Sequence, residues 1–138
     1  KGYPNAKNVV FEILESEWID NYNKVTEFIK KVKEFGCKIA IDDFGSGYSN
    51  YMHILQLDVD YIKIDAQMIR NINSDKSSYI ITDSISKFSK KIGVKTIAEF
   101  VSDKEIYDTV VGLEVDYSQG YYIGEPQSEE SLQREDEL

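Results

Sequence analysis

The sequence holds one cysteine, one histidine, one tryptophan and two prolines in 138 residues. A single thiol, Cys37, excludes an internal disulfide framework and fits a reducing compartment. The single histidine, His53, falls inside a predicted short helix and reads as a surface or half-buried helix residue rather than a metal ligand. No run of 18 apolar residues occurs, so no transmembrane span is expected, and no stretch reads as a secretory signal. Basic charge is scarce, 16 Lys and Arg against 25 Asp and Glu, for a net charge of −9. That balance argues against a partner that is a nucleic-acid polymer or an anionic membrane surface. It leaves room for one anionic ligand held by a metal or a local lysine. The expected setting is cytoplasmic, with a membrane-anchored parent compatible.

With two prolines and eight glycines there is little to interrupt regular structure. Short β-rich runs alternate with amphipathic stretches. Asn8 to Leu14, Lys38 to Asp42, Tyr61 to Asp65, Val94 to Glu99 and a short run from Val115 to Tyr117 read as five strands. Val25, Phe28, Ile29, Val32 and Phe35 mark one face of a helix that Gly36 closes, and Ile81, Ile85, Phe88 and Ile92 mark another that Gly93 closes. Residues from about Ser49 to Leu57 read as a short helix. Ser102-Asp103-Lys104-Glu105 reads as a capping box, with Ser102 as the cap, opening a helix that carries Ile106 and Val110 and ends at Gly112. Strands separated by helices are βαβ crossovers, so the sheet is expected to be parallel with helices covering it. After Pro126 the pattern stops, and Gln127 to Leu138 reads as a polar, acidic tail or an isolated surface helix.

What ends each strand is the informative feature. Glu12 and Glu15, Asp42 and Asp43, Lys63 and Asp65, Glu99, and Gln119-Gly120 follow the five strands in turn. Each interval is one strand plus one helix, so these residues emerge at one edge of a parallel sheet, where α/β sheets and barrels build their sites. Taken singly, each acid fits a helix cap or a solvated loop. Several together repel one another, and a divalent cation resolves the conflict. An all-oxygen donor set favours Mg²⁺ or Mn²⁺ over zinc. Two ions about 4 Å apart suit phosphoryl hydrolysis, with Asp42-Asp43 bridging them and Lys63 beside them. The Asp43-to-Asn50 segment reads as a tight turn positioning Asp43, since it lacks the lysine and serine of a phosphate loop. Tyr121 and Tyr122 fit a base-stacking surface, and equally core packing.

Five motifs occur in order over about residues 1 to 127: Phe11-Glu12-Ile13-Leu14-Glu15-Ser16, Ile41-Asp42-Asp43-Phe44-Gly45-Ser46-Gly47-Tyr48-Ser49, Ile62-Lys63-Ile64-Asp65, Ile97-Ala98-Glu99, and Gln119-Gly120-Tyr121-Tyr122 with Gly124 and Pro126. Together they resemble the C-terminal part of an EAL domain, the cyclic-di-GMP phosphodiesterase family of bacterial signalling. The resemblance implies an α/β fold, a partial (βα)₈ TIM-like barrel made of the last five βα units. It implies a domain that cuts one phosphodiester bond of cyclic di-GMP to give linear pGpG, using Mg²⁺ or Mn²⁺ and inhibited by Ca²⁺. It assigns Glu12, Asp42 and Asp43 as metal ligands and Glu99 as a further acidic ligand or water-holding residue. Lys63 matches the catalytic lysine, Glu15 the residue that braces the loop after Asp43, and Gln119 a site-edge residue, with Tyr121 beside it. That loop and its helix form part of the family's usual dimer surface.

The departures from the family pattern bear on activity. The chain contains no Glu-Ala-Leu tripeptide and nothing matching the family's asparagine ligand on the following strand. Phe100 stands where the family usually has glycine, and Ser102 where it has a second glutamate. A (βα)₈ barrel needs roughly 250 residues, so residues 1–127 are expected to form the C-terminal portion of the domain and 128–138 a tail. The expected context is a longer protein with fused signalling domains, or completion by a partner such as a second copy. Taken alone, the 138 residues are expected to hydrolyse little or no cyclic di-GMP while the parent domain is active. The competing readings are a catalytically degenerate cyclic-di-GMP binder and a dimerisation unit.

Overall fold

The structure is a computed structural model that describes residues 5–45 and 51–126. After a 3₁₀ turn at Ala6–Asn8 come β1 (Val10–Leu14), α1 (Glu15–Asp20), α2 (Tyr22–Glu34), β2 (Lys38–Phe44), α3 (Tyr51–Gln56), β3 (Tyr61–Ile64), α4 (Ala66–Arg70), α5 (Lys76–Ile92), β4 (Lys95–Ala98), α6 (Lys104–Gly112) and β5 (Tyr117–Ser118). The strands lie in the order β1-β2-β3-β4-β5, and every pairing is parallel. Each strand therefore sits beside its successor in sequence, the connectivity of a (βα) barrel segment. The expected tail, 128–138, lies outside the described residues, as do Ser46 to Asn50 of the loop after Asp43.

Register sorts the side chains into two faces, because paired residues in a parallel sheet point the same way. One face carries Ile13, Ile39, Ile41, Ile62, Ile64 and Ala98, all buried. It packs on Trp18 of α1, Ile29 of α2, Ile54 of α3, Ile69 of α4, Ile85 of α5 and Val110 of α6, which close a single core. Burying each such side chain contributes roughly 1.5–3 kcal/mol. The other face carries Val10, Glu12, Ala40, Asp42, Lys63 and Ile97. Part of it is open: Val10 and Leu14 of β1 and Tyr117 of β5 are exposed.

Several sequence expectations shift in detail. Asn8 belongs to the 3₁₀ turn, and Val9 precedes β1. Phe28 and Phe35, expected on the core face of α2, are exposed; Ile29 carries that face, and Phe28 packs edge-on against Phe11 at 5.5 Å. The face of α5 turned inward is mostly small, with Ser78, Thr82, Ser86 and Ser89 buried beside Ile85, so the helix lies close on its neighbours. Two helices have no counterpart in the sequence reading, α1 and α4. Asp65 ends no strand: it is the N-cap of α4 and accepts from the Gln67 N–H. The cap of α6 is Asp103, not Ser102. Its extended backbone lets its carboxylate accept from the Ile106 N–H at 2.9 Å. The last strand is Tyr117–Ser118, two residues later than Val115 suggests.

Strand starts are pinned by a device that occurs twice. Asp60, just before β3, accepts from the Ile39 N–H of β2 at 2.9 Å, and Asp116, just before β5, accepts from the Thr96 N–H of β4 at 2.8 Å. Each aspartate is flanked by a buried valine, Val59 or Val115, and a tyrosine; Tyr61 and Tyr117 meet edge to face at 6.1 Å.

Candidate metal centre

The carboxyl ends of β1 to β4 bring Glu12, Asp42, Asp43, Lys63 and Glu99 together. Asp42 and Asp43 are consecutive, and in a regular strand they would point to opposite faces. The β2–β3 register prevents this. Ile41 pairs with Ile62 and Phe44 with Ile64, so β2 has one residue more than β3 in that interval. This is a bulge. Asp43 absorbs it with φ +55, and its N–H donates to the Asp42 carboxylate at 2.8 Å. The extra residue also returns Phe44 to the covered face, where it is fully buried. Strand pairing and carboxylate placement are thus one feature.

One carboxylate oxygen from each of Asp42, Asp43 and Glu99 falls within 4.8 Å of the others, and all three residues are half-buried. Glu12 is not in that group. Its carboxylate accepts from Lys63 Nζ at 2.6 Å, and Glu99 accepts from the same ammonium at 2.9 Å. Lys63 comes from β3 and its side chain is nearly inaccessible. Burial draws its pKa down, but the hydrogen bonds to Glu12 and Glu99 and their charges outweigh this and leave it raised. The ammonium is therefore charged at neutral pH.

The carboxylates bear the surplus charge. Burial, then the neighbouring Asp42, Asp65 and Glu12, push Asp43 above the usual carboxylate range against the opposing pull of Lys63. Burial, then Asp42, pushes Glu99 up in spite of its hydrogen bond and ion pair with Lys63. One cation among four acids leaves the cluster short of positive charge. A hard divalent ion would supply what is missing, and three convergent, half-buried carboxylates are donors that suit such an ion.

Beside the cluster lies a cleft of about 340 Å³ lined by Ala66, Glu99, Phe100, Gln119 and Tyr121, with Ser102 and Gly120. Gln119 is stitched to the end of β4, its N–H donating to the Ala98 carbonyl and its carbonyl accepting from the Val101 N–H. Gly120, at φ +151, lies so close that a Cβ there would come within 2.4 Å of the Val101 backbone. Tyr121 is exposed. Phe100 has φ +62, a conformation that glycine would hold without strain, and Arg70 lies 4.3 Å from its ring centroid. Arg70 escaped the sequence reading, since nothing in its position in α4 marks it as a neighbour of Phe100. Glu15 is buried at the head of α1, and its charge, after burial, helps push up the phenol of Tyr51 at the start of α3. His53 is half-buried in α3 against Trp18, at 4.9 Å between rings, and is not in the group formed by Asp42, Asp43 and Glu99. No helix among the described residues is long and apolar enough to cross a membrane.

Known proteins are similar to this chain in sequence and in fold. The chain is 39% identical over 119 residues to the cyclic di-GMP phosphodiesterase PdeB of Shewanella oneidensis, a match covering 86% of this chain and 14% of that protein. The solved c-di-GMP complex of the PaMucR phosphodiesterase shares the fold with a TM-score of 0.87 at 25% identity, over 93% of this chain and 52% of that one. The manganese/cy-diGMP complex of Klebsiella pneumoniae BlrP1 gives a TM-score of 0.79 at 28% identity, over 84% of this chain and 30% of that one; the same protein is also solved as a calcium/cy-diGMP complex. The chain spans about half or less of the length of each of these proteins. Residues 1–126, which carry the parallel strands, the bulged acidic pair and the bridging lysine, match the family described as the EAL domain, and the chain belongs to that family.

Proposed function

We propose that the chain is the C-terminal portion, residues 1–127, of a metal-dependent phosphodiesterase domain that hydrolyses cyclic di-GMP to linear pGpG, with 128–138 an acidic tail. The observation that carries this reading is the convergence of Asp42, Asp43 and Glu99 beside a lysine that spans Glu12 and Glu99. Asp42, Asp43 and Glu99 would hold Mg²⁺ or Mn²⁺, with Glu12, paired to Lys63, as a further carboxylate beside them. When bound, such ions polarise a phosphodiester oxygen and acidify a water for attack. Lys63, kept protonated, faces the negative oxygens of the phosphodiester and steadies charge that develops there. Gln119 and Tyr121 border the cleft that admits the nucleotide, and buried Glu15 braces the segment between Asp43 and α3. Ca²⁺, a hard ion with the same taste for carboxylate oxygens, would compete for these donors and is expected to inhibit turnover. The open concave face is closed in the working protein by further strands of the domain or by a second copy. Fused signalling domains and a reducing, cytoplasmic setting fit the lone Cys37.

A second reading, a binder that senses cyclic di-GMP without cutting it, draws on Phe100 and Ser102, which replace a glycine and a carboxylate beside Glu99. One set of measurements separates the two. The 138-residue chain is titrated with Mn²⁺, then with cyclic di-GMP in Ca²⁺, and the product is followed chromatographically in Mn²⁺. Metal and nucleotide binding with slow or no release of pGpG is expected from the chain alone, because three convergent carboxylates are only part of a two-ion ligand set. Full turnover in a version extended to the whole domain supports the enzyme. Binding without turnover in that version selects the sensor, and failure to bind Mn²⁺ overturns both.

A further inference from the structure

Metal binding and phosphate chemistry leave Phe100 unexplained. Its φ of +62 lies in the left-handed region that a bulky side chain adopts only at an energetic cost. Burial does not offset that cost, because the residue is 43% exposed. Strain kept at an exposed residue beside a reactive cluster points to a role for the side chain itself. The ring is also held in place. The Arg70 guanidinium, from the last turn of α4, stacks 4.3 Å above its centroid. Phe100 lines the cleft and Arg70 does not. The cleft runs from Phe100 to Glu99 and Gln119, and its volume of about 340 Å³ is at the small end for ligand pockets. That suits one nucleoside half of a cyclic dinucleotide and not both.

We propose that Phe100 is a base-stacking residue: its ring takes the face of one purine of a nucleotide whose phosphodiester lies against Lys63 and Glu99, while Arg70 clamps the ring from behind. The inference rests on the phosphodiesterase reading and adds to it a residue that sets ligand affinity. An aromatic ring contributes to base binding through its π face, which neither glycine nor an aliphatic side chain of similar size supplies.

The test compares the full chain with F100G, F100L and F100Y. Cyclic di-GMP binding is measured by calorimetry in Ca²⁺, and Mn²⁺ affinity by electron paramagnetic resonance. F100G and F100L are expected to bind cyclic di-GMP at least about five-fold more weakly, and F100Y to keep the wild-type affinity. Mn²⁺ affinity is expected to be the same in all four. Wild-type affinity in F100L overturns the proposal by reducing the ring to bulk, and tighter binding in F100G overturns it by making the ring an obstruction. Both outcomes leave the phosphodiesterase reading standing. A wild-type chain that binds Mn²⁺ but no cyclic di-GMP, or neither, overturns both readings together.

Discussion

Asp43 carries two conflicts, a left-handed backbone and a carboxylate within 4.8 Å of that of Asp42. Its raised pKa means that the folded chain binds the proton more tightly than the unfolded chain. The associated stability is therefore present below the ordinary carboxylate value and is lost as pH rises through the raised folded value. At neutral pH, without divalent ions, the ionised Asp43 is a liability. Asp43→Asn removes the charge and keeps a side chain that tolerates positive φ. In chelator, it is expected to melt above the wild type at pH 7, with the gap closing as pH falls. With Mn²⁺ the order is expected to reverse, since the proposed ligand set is intact only in the wild type. Thermal melts across pH with and without Mn²⁺ check this; equal responses to Mn²⁺ would remove Asp43 from the ligand set. Gly120 obeys a different constraint, steric and not electrostatic. A Cβ there strikes the Val101 N and carbonyl, and backbone atoms cannot move aside as a flexible side-chain end can. Gly120→Ala is expected to cost about 1–3 kcal/mol or more, read by urea denaturation, and to displace Gln119 and Phe100 with it. A wild-type midpoint in that variant would contradict the close approach.

At the scale of elements, the cap of α6 distinguishes two adjacent residues with opposite expectations. Asp103→Ala removes the acceptor of the Ile106 N–H and is expected to cost about 1 kcal/mol. Ser102→Ala, on an exposed residue, is expected to change stability by less than about 0.5 kcal/mol. Chemical denaturation of both variants checks the assignment, and the reverse order would restore Ser102 as the cap. The sequence misled here because Ser102 and Glu105 have capping-box spacing, while the choice between neighbours depends on backbone angles that a pattern does not carry. The long helices and the strand cores were legible, since β-branched runs and glycine stops are strong local signals. So was the arrival of Glu12, Asp42, Lys63 and Glu99 at one edge of the sheet, which follows from strand phase; bringing Asp43 beside Asp42 and Glu99 needs the bulge as well. The bulge was not legible. Nothing in Ile41-Asp42-Asp43-Phe44 says that an aspartate takes a glycine-like φ, because that cost is met by strand pairing on either side. Helix α1 has no side-chain cap to announce it. Helix α4 does have one, Asp65, but the preceding apolar run drew that residue into the strand. In β5, buried Val115 looks like strand, yet its partner Asp116 is what fixes the strand start, through Thr96.

The whole molecule has one covered face and one partly open face. The covered face supplies the core and the stability; the other carries the acids and Lys63 at its carboxyl edge, with apolar surface around them. Val10, Leu14 and Tyr117 are 43%, 42% and 51% exposed on it. An exposed apolar sheet face, with β1 and β5 at the sheet edges among the described residues, is a surface for association. Opposing association is the net charge of −9, which repels a second copy over a distance set by ionic strength. The two effects separate with salt. At low salt the chain is expected to sediment as a monomer that binds a hydrophobic dye through the open face. As salt screens the charge, its weight-average mass is expected to rise with concentration. Val10→Lys with Tyr117→Lys adds charge to that face without touching the core. The double variant is expected to lose dye fluorescence, remain monomeric at all salt concentrations and keep its far-ultraviolet circular dichroism. Sedimentation equilibrium with dye titration decides the matter. A wild-type chain that ignores both salt and dye would mean the exposed apolar residues do not act as one surface, and the expectation of a partner closing the sheet would fall with it.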